Sequence, residues 1–155
     1  MYGLLCFSKS WSNPLLWSHY GNKHNGICLG FDIPEKKFVN VTYQIDRLEL
    51  EDETLTEETV MRFLSTKYNG WSYEEEVRVM TTLSERTPQD QNYYADFGDE
   101  LRLSEVIVGA LGDVSRKDLE EELNRASLGR SNIKLSKARL AFRSFAVVPD
   151  KRGLR

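Results

Sequence analysis

The 155-residue sequence predicts an α+β fold, with a mixed, mainly antiparallel β-sheet and about three helices. Three observations carry that expectation. Short apolar or β-branched runs read as strands at Gly3–Phe7, Ile27–Ile33, Phe38–Tyr43, Ser72–Leu83 and Val106–Val108. Three other segments pair a helix-capping residue with apolar residues at helical spacing. Strands and helices follow one another without strict alternation, which argues against a βαβ repeat.

Taken in order, Gly3–Phe7 is apolar and too short for a helix, so it reads as a buried strand. Asn13 can cap the first helix, Pro14 suits its first position, and Leu15, Leu16, Trp17 and Tyr20 supply an apolar face. Gly21–Gly26 is a loop whose two glycines and two asparagines tolerate positive φ. Pro34 stops the strand that starts at Ile27. Thr56 caps a second helix, with Glu57 and Glu58 in its first turn and Asn69-Gly70 at its end. Tyr, Val and Thr make Ser72–Leu83 a long strand, and Thr87–Asn92 a polar loop follows. Ser115, with Asp118 three residues on and Val114 opposite Leu119, forms a cap and staple for the third helix, and Gly129 lies beyond its end. Residues 132–148 read as one or two strands. The expected organisation is a single domain over 1–148 with a flexible tail over 149–155. Its expected core holds Phe7, Trp17, Ile27, Leu29, Phe31, Phe63, Leu64, Val106, Val108, Leu119, Leu123 and Phe145.

Composition narrows the class. A chain that is 40% hydrophobic and 11% aromatic can bury a core and is not disordered. No apolar run approaches the ~20 residues of a membrane span. Met1–Ser8 lacks a basic leader and cleavage site, so the expectation is a cytoplasmic protein without a signal peptide. Cys6 and Cys28 then read as reduced, buried thiols. Residues 1–129 carry 23 acids and 13 bases, whereas residues 130–155 carry eight bases and one acid. That basic end reads as a solvated strand face and tail rather than a nucleic-acid surface, because dense basic clustering with interleaved aromatics is lacking.

The segment Trp71–Arg78 carries the most chemistry. On a strand, Glu74, Glu76 and Arg78 share one face, and mutual repulsion with burial would push the two carboxylate pKa values apart. The alternative is a solvent-facing row in which Arg78 screens the acids. Trp17 and Tyr20, three apart on a helix, either stack on a planar ligand or belong to the core. A triad of Ser8 or Ser18 with His19 and Asp32 is conceivable, but no nucleophile elbow accompanies it. His19 and His24 give no metal-ligand spacing, so no metal site is expected. Gly109–Asp113 lacks a phosphate-binding pattern and reads as a turn.

Several of these residues recur together in a pattern. Cys6-Phe7-Ser8, Leu16-Trp17-Ser18-His19-Tyr20, Cys28-Leu29-Gly30-Phe31-Asp32, Val41-Thr42-Tyr43, Lys67, Tyr73-Glu74-Glu75-Glu76-Val77-Arg78 and Val106-Ile107-Val108-Gly109 stand in one order. The chain thereby resembles, over nearly its whole length, a widespread bacterial family filed as a domain of unknown function. Members of that family usually carry a further portion ahead of the Cys-Phe-Ser strand. This chain begins five residues before Cys6, so it reads as a short version or a fragment. A homodimer is expected, to cover the sheet edge that the missing portion would leave.

A more distant likeness is to ADP-ribosyltransferases. It implies NAD as substrate, Glu76 as the catalytic carboxylate beside a developing oxocarbenium ion, and Glu74 orienting the acceptor. Ser8, Trp17, Tyr20 and Arg78 would be the ligand-binding residues. The alternative is a non-catalytic ligand-binding or protein-interaction module of the same fold.

Overall fold

The computed structural model describes residues 2–50, 55–83, 92–129 and 132–154. In chain order its elements are β1 (Tyr2–Ser8), α1 (Pro14–His19), β2 (Ile27–Asp32), β3 (Phe38–Asn40), β4 (Thr42–Gln44), α2 (Glu57–Leu64), β5 (Thr66–Tyr68), β6 (Glu76–Thr82), β7 (Arg102–Val108), α3 (Arg116–Arg125), β8 (Lys134–Leu140) and β9 (Val147–Pro149). Short 3-10 turns occupy Glu35–Lys37 and Asn69–Glu74. The fold is α+β. It divides into two units, residues 1–10 with 34–95 and residues 11–33 with 96–155.

In the first unit, β6 is the central strand, antiparallel to both β1 and β3. Ser8 lies opposite Glu76 and Cys6 opposite Arg78, so one face of the sheet is polar. Val77 points the other way and is buried. The expected strand over Phe38–Tyr43 is two strands in two sheets. Val41 still bonds to β6, its N–H donating to Glu76 O at 3.0 Å. Thr42 turns away, its N–H donating to Ser65 O at 2.8 Å, and β4 runs parallel to β5.

Helix α2 starts as expected, with Thr56 Oγ1 accepting from Thr59 N at 3.1 Å. It stops at Leu64 rather than at Asn69-Gly70. Ser65 and Thr66 turn their hydroxyls back onto the carbonyls of Met61 and Arg62, both at 2.7 Å. These two side chains compete with continued helix, and β5 follows at once. The strand expected over Ser72–Leu83 begins at Glu76, because residues 69–74 wind into the 3-10 turn and Glu75 takes a left-handed conformation (φ 47°). The polar loop expected at 87–92 falls, except for Asn92, outside the described residues.

The second unit holds the sheet β2-β7-β8-β9, antiparallel except for the parallel pair β7–β8, which α3 joins. Its core has two parts. Trp17, Ile107, Ala138 and Val147 pack together, with Trp11 and Cys28 at their margin. Leu103, Val106, Val108 and Leu119 form the other, and Phe31, Val114 and Leu123 pack onto it. A register shift between Gly30 and Phe31 changes the phase of β7, which lets Leu103 share a cluster with Val106 and Val108. The capping box of α3 forms, Ser115 N–H donating to Asp118 Oδ2 at 3.0 Å and Asp118 N–H to Ser115 Oγ at 3.2 Å. The left-handed residue past α3 is Ser127 (φ 60°), not Gly129.

Four expected core residues are exposed. Ile27 and Leu29 lie on β2, the edge strand, and α2 leaves Phe63 at its surface. Phe145 is fully exposed because it sits in the loop between β8 and β9, beyond the sheet. Cys6 is also exposed, since it stands on the polar face opposite Arg78. No helix among the described residues is long and apolar enough to cross a membrane.

Candidate functional site

Glu74 and Glu76 are the two buried charged residues of the described chain, each 5% exposed. Simple strand alternation does not bring them together, because Glu74 ends the 3-10 turn and Glu76 begins β6. The left-handed step at Glu75 turns that side chain out to solvent and leaves both neighbours pointing in. Lys67, from β5, joins them. Its Nζ lies 2.5 Å from Glu74 Oε2 and 2.9 Å from Glu76 Oε2. Arg78 completes the group, with Nε 2.8 Å from Glu76 Oε1, while its Nη1 donates to the carbonyl of Leu64 at the end of α2.

Two cations and two carboxylates therefore neutralise one another inside the first unit. The same site is held by groups around it. Ser8 Oγ donates to the Glu74 carbonyl at 2.5 Å, and Glu76 N–H donates to Tyr43 Oη at 2.8 Å. Lys67 Nζ stands 5.3 Å from the centre of the Trp71 ring, within cation–π range.

The electrostatics follow. Burial alone would raise the Glu76 pKa, but hydrogen bonds from Arg78, Lys67 and Cys6 outweigh it and pull the carboxyl down to about 2. Burial would lower Lys67, yet its bonds to Glu74 and Glu76 hold the ammonium well above its ordinary range. Arg78 is raised chiefly by its bond to Glu76. The Cys6 thiol is pushed up, first by partial desolvation beside the cluster and then by its hydrogen bond to Glu76, so it stays a thiol.

Lys67 also faces a cleft of about 540 Å³ at the ends of β4 and β5. Phe63 and Tyr68 give it aromatic walls, Arg47 and Asp46 give it charge, and Gln44 and Thr66 give it hydrogen-bonding groups. Sequence reasoning missed this cleft. Its residues come from two three-residue strands, the loop after one of them and the last turn of α2, and nothing in their spacing announces that the strands pair in parallel. Lys67, placed eleven residues before Arg78 on no shared element, gave no signal as the partner of both acids beyond its place in the family pattern.

The remaining predicted residues belong to the second unit and do other things there. Trp17 is 3% exposed and its Nε1 donates to Trp11 O at 2.6 Å, so it is a core residue. Tyr20 is exposed, its ring 6.2 Å from that of His19. The conceived triad does not form. Ser18 Oγ donates to Pro14 O at 3.0 Å and lies 3.4 Å from His24 Nε2 rather than meeting His19. Asp32 is paired with Arg102 and Ser104. The 109–113 segment is a turn whose donors are used internally. Gly109 N–H and Leu111 N–H donate to Gly26 O and His24 O at 2.8 and 2.9 Å. A Cβ on Gly109 would stand 2.3 Å from His24 O, which is why glycine occupies that position. Among the described residues no group of three His, Cys, Asp or Glu side chains could hold a metal ion.

The fold thus defines an α+β protein with a buried, self-neutralised charge cluster beside an open cleft. Residues 16–79 match the family model described as a protein of unknown function, DUF2971. That span carries Trp17, Tyr20, Lys67, Glu74, Glu76 and Arg78 but not Ser8, and it is shorter than the near-complete resemblance read from the sequence. No curated protein matches the chain, and neither does any solved structure.

Proposed function

We propose that the first unit is a non-catalytic ligand-binding module, in which Lys67, Glu74, Glu76 and Arg78 brace the cleft rather than perform a reaction. One observation carries this reading: both carboxylates of the motif are buried and already paired with cations, Glu76 with two of them. A carboxylate that stabilises a developing cation must gain charge interaction in the transition state. One that is neutralised in the resting protein gains little. The cleft lining of Phe63, Tyr68 and Arg47 fits a planar ring carrying an anionic group.

A second reading keeps the likeness to NAD-processing ADP-ribosyltransferases, with Glu76 as the catalytic residue. It has one observation in its favour: Glu76 stays ionised down to a pH of about 2, the form such chemistry needs. NAD is a probe for both readings, because it carries rings and phosphates. Calorimetry of the full chain with millimolar NAD, with chromatography for released nicotinamide, separates them. Binding without turnover, lost in Arg47→Ala and Tyr68→Ala, supports the module. Nicotinamide release that a folded Glu76→Gln variant loses overturns it in favour of the enzyme. Absence of binding removes NAD from both.

A further inference from the structure

The loop between β8 and β9 displays features that the cleft does not use. Ala141 N–H donates to Ala146 O at 2.9 Å, which closes a four-residue loop of Phe142, Arg143, Ser144 and Phe145. Its two phenylalanines are 93% and 102% exposed, so neither ring belongs to a core. Isolated exposed apolar residues need no explanation, but two whole aromatic rings on one hairpin loop do. Arg139 lies over the Phe142 ring, its guanidinium carbon 4.8 Å from the centroid. Arg143 stands between the two phenylalanines in sequence and makes no ion pair among the described residues. Of the six Lys and Arg between 132 and 154, Lys134 is paired with Glu105 and Arg152 with Asp150, and the two that stand in or beside the loop are Arg139 and Arg143.

We infer that this hairpin tip is a stacking platform for single-stranded nucleic acid. The charge calls for a polyanion, and the rings call for planar groups to stack on. Single strands offer both, and base–aromatic stacking with neighbouring cations is their usual mode of capture. The position of Arg143 decides against the other polyanionic surface, a membrane of acidic lipids. A tip that enters a bilayer must carry its apolar residues foremost, and here an arginine and a serine occupy the middle of the loop, where burial in hydrocarbon is costly. Flanked in sequence by the two phenylalanines, the same arginine is available to meet the phosphate that links two stacked bases. Read as a linear string, Phe145 counted as a core residue. Only the hairpin turns both rings outward beside the arginines. The inference concerns the second unit and is independent of the cleft.

The test is fluorescence anisotropy of the full chain with labelled oligothymidylate and oligouridylate at two salt concentrations. The expected result is binding that weakens with salt, and that falls about fivefold or more for each of Phe142→Ala and Phe145→Ala. Arg143→Ala should weaken binding and flatten the salt dependence. All three positions are exposed, so thermal melting of the variants should match the parent. Vesicles of phosphatidylserine and oligomeric state by light scattering are measured alongside. No oligonucleotide binding, binding indifferent to both ring deletions, binding to vesicles alone, or an oligomer that the ring deletions dissociate would each overturn the inference.

Discussion

Replacing Glu76 by Gln removes one negative charge and leaves nearly everything else in place. In the parent, Lys67 pairs with both buried carboxylates and Arg78 with Glu76; in the variant Lys67 keeps Glu74 while Arg78 loses its carboxylate, and the first unit holds an uncompensated, partly buried cation. The Glu76 pKa drops from the ordinary 4.5 to about 2, which corresponds to about 3 kcal/mol of folding stability at neutral pH. Breaking a buried pair by removing one partner costs about 3–5 kcal/mol, so the two routes agree. Because the folded pKa is depressed, this stabilisation is complete above the unfolded pKa and is lost as pH falls through the folded one. The gap between parent and variant, about 3 kcal/mol at pH 7, should shrink to about 1 kcal/mol at pH 3. Urea denaturation at both pH values measures it, with Glu75→Gln as a solvent-exposed control expected to be nearly neutral. A gap below about 1 kcal/mol at pH 7, or one that ignores pH, would refute the claim that these charges brace the unit.

Other outcomes are as specific. Glu75→Gly should raise stability by up to about 1 kcal/mol in the same denaturation assay, because glycine relieves the left-handed backbone at that step. Trp17→Ala should cost about 3–5 kcal/mol through loss of packing and of the bond to Trp11 O, a loss that a melting curve reports without any ligand present. Ser115→Ala should cost about 1 kcal/mol by opening the capping box of α3. Phe145→Ala should leave the melting temperature unchanged, in contrast to a core phenylalanine.

The sequence by itself determined the local grammar. Asn13 with Pro14, Thr56, and Ser115 with Asp118 mark helix starts where the structure has them, because a cap is a contact between residues two or three apart. The apolar run at Ile27–Ile33 became β2, and Val106–Val108 became the buried end of β7, because a short apolar run flanked by turn residues has few other uses. The same reasoning picked out Glu74, Glu76 and Arg78 as one constellation. It misplaced the backbone that joins them, since three consecutive glutamates do not disclose a 3-10 turn, a left-handed residue and a strand in succession. Tertiary structure alone decided the rest. It brought Lys67 across from β5 to neutralise both acids. It split Phe38–Tyr43 between two sheets, formed the cleft at the ends of a parallel pair, and raised Phe142 and Phe145 on a hairpin outside every core. The reason is common to all four. Each depends on partners distant along the chain or on where a sheet ends, and local pattern carries information only as far as neighbouring residues can feel one another.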